Sequence, residues 1–267
     1  MLGAIIGDIA GSRFEWQSHK SKQFDLLNYE KGCRFTDDSV MSLAVAKAIL
    51  DCNKDYSKLS AAAIENMRYF GNKYYNAGYG GMFFDWLFYT NDPQPYNSYG
   101  NGAAMRVSAC GFAASSLEEA KLLSHEVTKV THNHPEGLKG AEATAVAVYL
   151  AKSGMSIQEI QSYINSNYYN IDFKLDGIRE KYEFDVTCQG SVPQALEAFF
   201  ESTSFEDAIR NAVSIGGDSD TIAAITGGIA EAYYGIPSDI RDKALTFLDD
   251  YQKSVIDKFE KEYPIKI

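Results

Sequence analysis

Two acidic clusters carry the chemistry that this chain can do. One is Thr36-Asp37-Asp38; the other, far away in sequence, is Asp218-Ser219-Asp220-Thr221. Together they supply four carboxylates and two threonine hydroxyls, all hard oxygen donors. That ligand set suits a pair of Mg²⁺ or Mn²⁺ ions. Two such ions imply hydrolysis of an oxygen-rich substrate. Alone, Thr-Asp-Asp at a helix start is ordinary capping, since aspartates there satisfy free N–H groups and complement the dipole. The second cluster changes the weighing. Gly216-Gly217 lead into two carboxylates two residues apart, on a turn that can aim both at one cation or at two adjacent ones. Capping needs one such residue. Converging carboxylates repel each other, and divalent cations relieve that repulsion. A further carboxylate, Glu15, follows Gly7-Asp8-Ile9-Ala10-Gly11-Ser12-Arg13-Phe14 in an expected loop; taken alone it reads equally well as a solvated surface group.

The elements that must position these residues read as helices. After Thr36-Asp37-Asp38, apolar residues at Val40, Leu43, Ala44 and Ala48 make a helical stripe. Ser116 with Glu119, and Ser156 with Glu159, have capping-box spacing; the first should open a helix to about His125. Pro193 suits the first turn of a helix carrying Leu196, Phe199 and Phe200. Ile222, Ile225 and Ile229 share one face of a helix starting near Thr221, and Gly227-Gly228 permit close packing at some cost in propensity. Ile240, Leu245, Leu248, Val255 and Phe259 suggest a C-terminal helical pair or one broken helix. No segment alternates with period two, and no repeat is evident. The expectation is an all-α, many-helix globule in one domain spanning residues 1–267, with function in the loops, notably 71–81 and 91–102.

Composition excludes several classes. The chain has 267 residues, 45% hydrophobic and 23% charged, enough for one large core. A net charge of −11 argues against a general nucleic-acid backbone binder, which needs a basic face. Cys33, Cys52, Cys110 and Cys188 show no CxxC and no zinc-like spacing, so reduced thiols in a cytoplasmic protein are expected. Residues 1–11 are apolar but short, carry Asp8 and have no basic leader, so no membrane segment is expected. No heptad argues for an oligomer, and a monomer is the default.

Five segments, in order, resemble the ADP-ribosylglycohydrolase family, which includes the dinitrogenase reductase-activating glycohydrolases and vertebrate ADP-ribosylhydrolases. They are Gly7-Asp8…Gly11-Ser12…Glu15, Phe35-Thr36-Asp37-Asp38-Ser39, Gly100-Asn101-Gly102-Ala103-Ala104-Met105-Arg106, Thr131-His132-Asn133-His134-Pro135 and Gly216-Gly217-Asp218-Ser219-Asp220-Thr221-Ile222-Ala223. Each is weak alone; their order along nearly the whole chain is what carries the resemblance. It implies an all-α fold with a dinuclear centre in which Thr36, Asp37, Asp38, Asp218, Asp220 and Thr221 bind two Mg²⁺ or Mn²⁺ ions, Asp220 bridging. Catalysis would then rest on Asp37 and Asp220 with Glu15, which aligns with the loop glutamate that serves as acid/base in the serine-type hydrolases. Gly78-Tyr79-Gly80-Gly81-Met82 is similar to the family's diphosphate loop, where glycine backbone forms an anion nest. Ser98, Gly100, Asn101 and Gly102 look like a second ligand loop, and His132 would sit beside the phosphates or the distal ribose. Tyr69–Tyr79 offers aromatic faces for an adenine, or plain packing.

The implied activity is metal-dependent cleavage of the C1″ linkage of ADP-ribose conjugates, on protein, nucleic acid or small molecule, releasing ADP-ribose. Two alternatives stand beside it: a non-catalytic ADP-ribose-binding module, and a two-metal hydrolase of a nucleotide or sugar phosphate. The chain departs from the family at Arg13 and Phe14, where small residues or proline are common, and it is short. The first departure bears on how the Glu15 loop closes and so on which linkage is cleaved; the second bears on acceptor recognition, which inserts shape in longer members.

Overall fold

In a computed structural model describing residues 1–265, fourteen α-helices and three short 3-10 turns account for the regular structure. Among the described residues there is no strand; one isolated bridge pairs Gly100 with Thr187. The first five helices are α1 (Leu2–Gly11), α2 (Asp37–Asp51), α3 (Leu59–Lys73), α4 (Gly81–Phe88) and α5 (Ser108–Ala113). Next come α6 (Leu117–Thr128), α7 (Pro135–Lys152), α8 (Ile157–Asn167), α9 (Leu175–Ile178) and α10 (Cys188–Phe200). The last four are α11 (Phe205–Val213), α12 (Ser219–Tyr234), α13 (Ser238–Leu245) and α14 (Asp250–Glu262). No described helix is long and apolar enough to cross a membrane.

The axis of the fold is the antiparallel pair α1 and α12. Every residue of α1 is buried, and α12 is buried except for its last two residues. Such all-round apolar helices belong at the centre of a protein. Their approach is set by glycine. A Cβ on Gly3 would strike the carbonyl of Gly227, one on Gly7 that of Ala223, and one on Gly11 that of Ser219. The spacing of four places these glycines on one face, so backbone meets backbone over the length of α1. Each glycine costs the helix about 1 kcal/mol in propensity. Burying Ile5, Ile6 and Ile9 offsets this at about 1.5–3 kcal/mol each. The antiparallel sense has a chemical consequence: the turn that leaves α1 toward Glu15 lies beside the N-terminus of α12, where Asp218 and Asp220 sit.

The other helices pack around this axis. α2 lies against α1, α3 and α14, α7 against α5, α6 and α12, and α10 against α11 and α12, in one continuous core. Local chemistry sets their ends. Ser156 and Glu159 form a complete capping box on α8. At α6 only half the expected box forms: Ser116 accepts from the Glu119 N–H at 3.1 Å, while the Glu119 carboxylate turns to the Ser115 N–H at 2.6 Å. That helix also runs past His125 to Thr128. Pro193 is not in the first turn of its helix. Thr187 caps the chain earlier, accepting from the Gly190 N–H, so α10 opens at Cys188 and Pro193 falls within it. The C-terminal segment is a pair, α13 and α14.

Candidate active site

The two acidic clusters meet in space. Carboxylate oxygens of Asp8, Asp38 and Asp220 lie within 4.8 Å of one another, as do those of Glu15, Asp218 and Asp220. Asp220 belongs to both groups. Three helix ends deliver them. Thr36 is the N-cap of α2, and its hydroxyl accepts from the Asp38 N–H. Asp8, on α1, accepts from the Thr36 N–H at 2.8 Å, the Thr36 hydroxyl at 2.7 Å, the Ser39 N–H at 3.1 Å and the Ser39 hydroxyl. It thereby fixes the start of α2 against α1. Asp218 is the N-cap residue of α12; its Oδ2 accepts from the Asn101 amide at 2.7 Å. Thr221 donates its hydroxyl to Asp38 Oδ2 at 3.3 Å, tying α12 to α2.

Like charges dominate the electrostatics of this cluster. Burial, then Asp8 and the other aspartates, push the Asp38 carboxyl well above the usual carboxylate range. Burial and Asp218 do the same to Asp220, and burial followed by Asp8 raises Asp37 to about 8. Glu15, half-buried, is raised to about 7 by burial and then Asp218. The charges that raise Asp38 and Asp220 are other carboxylates. Asp38 Oδ1 is buried with no hydrogen-bond partner. An all-oxygen donor set, like charges packed together and an orphaned oxygen fit a hard cation, and the cluster can hold one.

The cluster forms part of a cleft of about 510 Å³, a size typical of small-molecule sites. Gly78 (φ +104°) turns the chain in the left-handed region beside Asp37, and Gly80 caps α4 with no side chain. Side-chain space above Gly80 and Gly81 is open, so a ligand can reach the backbone there. Ser98 accepts from the Gly100 N–H at 3.1 Å. A Cβ on Gly100 or Gly102 would stand 3.6 or 3.5 Å from His132 Nε2, so the imidazole closes over this glycine loop. Arg106 sets the imidazole's state. Its Nη2 donates to the Thr131 hydroxyl at 2.6 Å and lies 3.4 Å from His132 Nδ1. His132 Nδ1 also lies 2.7 Å from the Thr131 hydroxyl; an Nδ1 that accepts, with the proton on Nε2 toward the cleft, satisfies this contact and the donor-only arginine together. Burial and the Arg106 charge hold the imidazole well below its ordinary range, hence neutral. Arg106 itself is fully buried; burial lowers it to about 10, and its Nε has no partner.

The cleft therefore gathers Glu15, Asp37, Asp38, Asp218, Asp220 and Thr221 with Gly80, Gly81, Met82, Ser98, Gly100, Asn101, Gly102 and His132. Thr36 lies just behind, its hydroxyl engaged by Asp8. The Asn101 amide is occupied inside the protein, donating to both Asp218 and Ser191. His134 stays out of the cleft and caps α7. Of the tyrosines from Tyr69 to Tyr79, Tyr79 alone is part of the cleft wall; Tyr69 and Tyr74 pack on Phe70. Sequence reasoning gave no role to Asp8, Arg106, Ser191, Trp16 or Phe184. The spacing of Gly3, Gly7 and Gly11 was a legible signal that Asp8 sits on a deeply buried helix; nothing local marks the others.

Comparison with known proteins agrees with this geometry. A family model described as ADP-ribosylglycohydrolase matches residues 1–264. The ADP-ribosylhydrolase ARH3 of Gallus gallus is 25% identical, over 88% of this chain and 84% of its own length. The ADP-ribosylarginine hydrolase Tri1 of Pseudomonas putida is 25% identical, over 88% of this chain and 70% of its own length. A solved structure described as an ADP-ribosylglycohydrolase-related protein complex has the same fold, with a TM-score of 0.71 at 22% identity, covering 100% of this chain and 96% of that one. One match embraces the helical frame, the glycine loops and both acidic clusters: the chain belongs to the ADP-ribosylglycohydrolase family.

Proposed function

We propose that this chain is a metal-dependent hydrolase that cleaves the C1″ glycosidic linkage of ADP-ribose conjugates and releases ADP-ribose. The observation that carries the reading is the pair of carboxylate triplets sharing Asp220 in a cleft that also contains bare glycine backbone and a neutral histidine. The first feature suits cations and sugar hydroxyls; the second suits a diphosphate. Relatives named as ADP-ribosylhydrolases support the same reading.

In this reading Thr36, Asp37, Asp38, Asp218, Asp220 and Thr221 would hold two Mg²⁺ or Mn²⁺ ions; Asp220 belongs to both carboxylate triplets. When bound, the ions supply positive charge that orients and polarises the hydroxyls of the distal ribose. Asp8 keeps Thr36 and the α2 terminus in register, and Asn101 aims Asp218. Backbone amides at Gly80, Gly81 and Met82 bind the diphosphate beside the Ser98–Gly102 loop, and His132 donates its Nε2–H to it. Glu15 moves the proton: it lines the cleft with its carboxylate beside Asp218 and Asp220. Water oxygen bonds to C1″, the bond from C1″ to the acceptor breaks, and the acceptor leaves carrying a proton. Positive charge on the ribose ring is met by the carboxylates around it. The chain acts as one domain and as a monomer.

The test is mass-resolved release of ADP-ribose from arginine-, serine- and nucleic acid-linked conjugates, with Mg²⁺, with Mn²⁺ and with chelator. Metal-dependent release of intact ADP-ribose is expected from at least one, and Asp220→Ala should lower it by at least about 10³-fold. Full activity of metal-supplemented Asp220→Ala, or release of inorganic phosphate instead, would overturn the reading.

A further inference from the structure

We infer that Arg106 is a positioning residue for the diphosphate end of this cleft: without touching the ligand, it fixes the His132 imidazole with Nε2–H toward the cleft and supplies the positive charge against which the diphosphate is held. The inference rests on the hydrolase reading for its ligand and extends it to the side chain behind the glycine loops.

A diphosphate is anionic, yet among the described residues Arg106 is the one lysine or arginine of the cleft. It is fully buried, so a ligand meets it only through the residues it holds. Its partners set it apart. Arg179, Arg210 and Arg241 each pair with a carboxylate and keep part of the side chain in water. Arg106 instead donates to the Thr131 hydroxyl and lies beside His132 Nδ1, both uncharged, and its Nε has no partner.

Its charge survives this burial. Burial lowers the group to about 10, which leaves it protonated at neutral pH. Of the charges that oppose this, Asp37 ranks behind Tyr96 and the thiols of Cys110 and Cys188. Asp37 is moreover one of the proposed metal ligands. A buried cation without an anion of its own is destabilising until an outside anion comes near. The diphosphate is the anion that this cleft is proposed to take.

The contacts of Arg106 reach every part of that end. A hydrogen-bonded chain runs from Nη2 to the Thr131 hydroxyl at 2.6 Å and from there to His132 Nδ1 at 2.7 Å. With Nδ1 accepting, Nε2–H faces the glycines at 100 and 102. The guanidinium carbon also lies 5.5 Å from the centroid of the Phe83 ring, within cation–π range. Phe83 directly follows Met82 in the first turn of α4, and its ring meets Tyr79 at 6.0 Å and Trp86 at 5.6 Å. On its own loop, the turn before Arg106 is closed by the Met105 N–H on the Asn101 carbonyl at 3.1 Å. One guanidinium thus backs both glycine loops and the histidine. In a low-dielectric interior its charge acts across such distances.

The experiment compares wild type, Arg106→Lys and Arg106→Met. Calorimetry measures binding of Mg²⁺ alone and of free ADP-ribose at saturating Mg²⁺; NMR of histidine-labelled protein reads the His132 tautomer. Exchanging a buried ion for an apolar chain of similar volume is often neutral for stability, so Arg106→Met should fold. Its ADP-ribose affinity should fall roughly tenfold, while Arg106→Lys, which keeps the charge, should lose less than about threefold. Mg²⁺ alone should bind Arg106→Met as well as wild type or more tightly, because a positive charge that acts on Asp37 is gone. His132 should carry its proton on Nε2 in wild type and on either nitrogen in Arg106→Met. Unchanged ADP-ribose affinity in Arg106→Met, or equal losses of ADP-ribose and Mg²⁺ binding, would overturn the inference, the second outcome being that of a merely structural residue. Two results do so whether or not Arg106→Met folds: a tenfold loss in Arg106→Lys, and a wild-type His132 protonated on Nδ1. Absence of release from every conjugate by wild type would overturn the hydrolase reading alone, since the binding comparison needs no turnover.

Discussion

The antiparallel pair α1 and α12 ends twice in buried carboxylates, and the two ends treat them differently. At one end Glu231, 2% exposed, accepts from the Met1 amine and, at 2.8 Å, from the Gly3 N–H. Both donors belong to the chain itself. At the other end Asp8, Asp38, Asp218 and Asp220 lie comparably deep, and the charges that bear on Asp38 and Asp220 are of the same sign. An uncompensated buried charge costs several kcal/mol, so the second arrangement stands only if protons or an outside cation neutralise it. Burial of a carboxylate is therefore not what distinguishes the two ends. Burial without an intramolecular counter-charge is, and that marks the second as a site for something the chain does not contain.

The largest break in this comparison comes from removing the axis both ends share. Gly7→Val puts two methyls where the Ala223 carbonyl lies, and backbone cannot yield as a side chain can. Stability should fall by about 3–5 kcal/mol or folding should fail, as read by urea denaturation. A loss under about 1 kcal/mol would mean that α1 can slide on α12. Next comes Glu231→Gln, which removes the carboxylate that the Met1 amine and the Gly3 N–H share in the core. It should cost about 3 kcal/mol by the same measurement, while Mg²⁺ affinity stays within about twofold. A parallel collapse of Mg²⁺ affinity would show that the two ends are coupled and that contrasting them is misplaced.

What was legible in the sequence follows the same division. Local chemistry was readable: Thr36 as the start of α2, the acidic turn before α12, the capping box at Ser156 and the all-helical pattern all lie within one or two helical turns of their cause. The resemblance named the residues of the cleft, but not what they touch. Asp8 reaches Thr36 across 28 residues, and Asn101 reaches Asp218 across 117. No periodicity encodes such pairs. Arg106 was visible only as the end of a glycine-rich motif; its burial beside His132 belongs to the packing of the loop after α6. Trp16 and Phe184 were silent because a single exposed aromatic has no sequence pattern. Pro193 misled because proline is commonest in a first helical turn, and the Thr187 cap moved that turn upstream.

A pH titration sharpens the contrast between the ends. In metal-free protein Asp37 is raised to about 8 and Glu15 to about 7, against about 4 for such groups in an unfolded chain. The folded state then holds protons that the unfolded state has released. This stability is fully present below about pH 4 and is lost as pH rises through 7 to 8. The expected drop is about 1–3 kcal/mol across that window in chelator. Saturating Mg²⁺ should reverse the slope, because ionised carboxylates bind it. An identical fall with and without Mg²⁺ would detach these groups from the metal.

The smallest effect tests the finest part of the comparison, namely what aims a carboxylate that has no counter-charge. Asn101 donates to Asp218 and Ser191, so Asn101→Ala frees Asp218 to rotate without altering the charge of the cluster. Supports of this kind are worth 10–100-fold in metal affinity. Mg²⁺ binding should weaken about tenfold, with a stability loss near 1 kcal/mol from the lost hydrogen bonds. Free ADP-ribose affinity measured in chelator separates two roles for the residue. If Asn101 acts through Asp218, that affinity is unchanged. If its amide instead turns to the ligand, affinity falls without metal present, and the Asn101–Asp218 hydrogen bond is a resting contact that the ligand displaces.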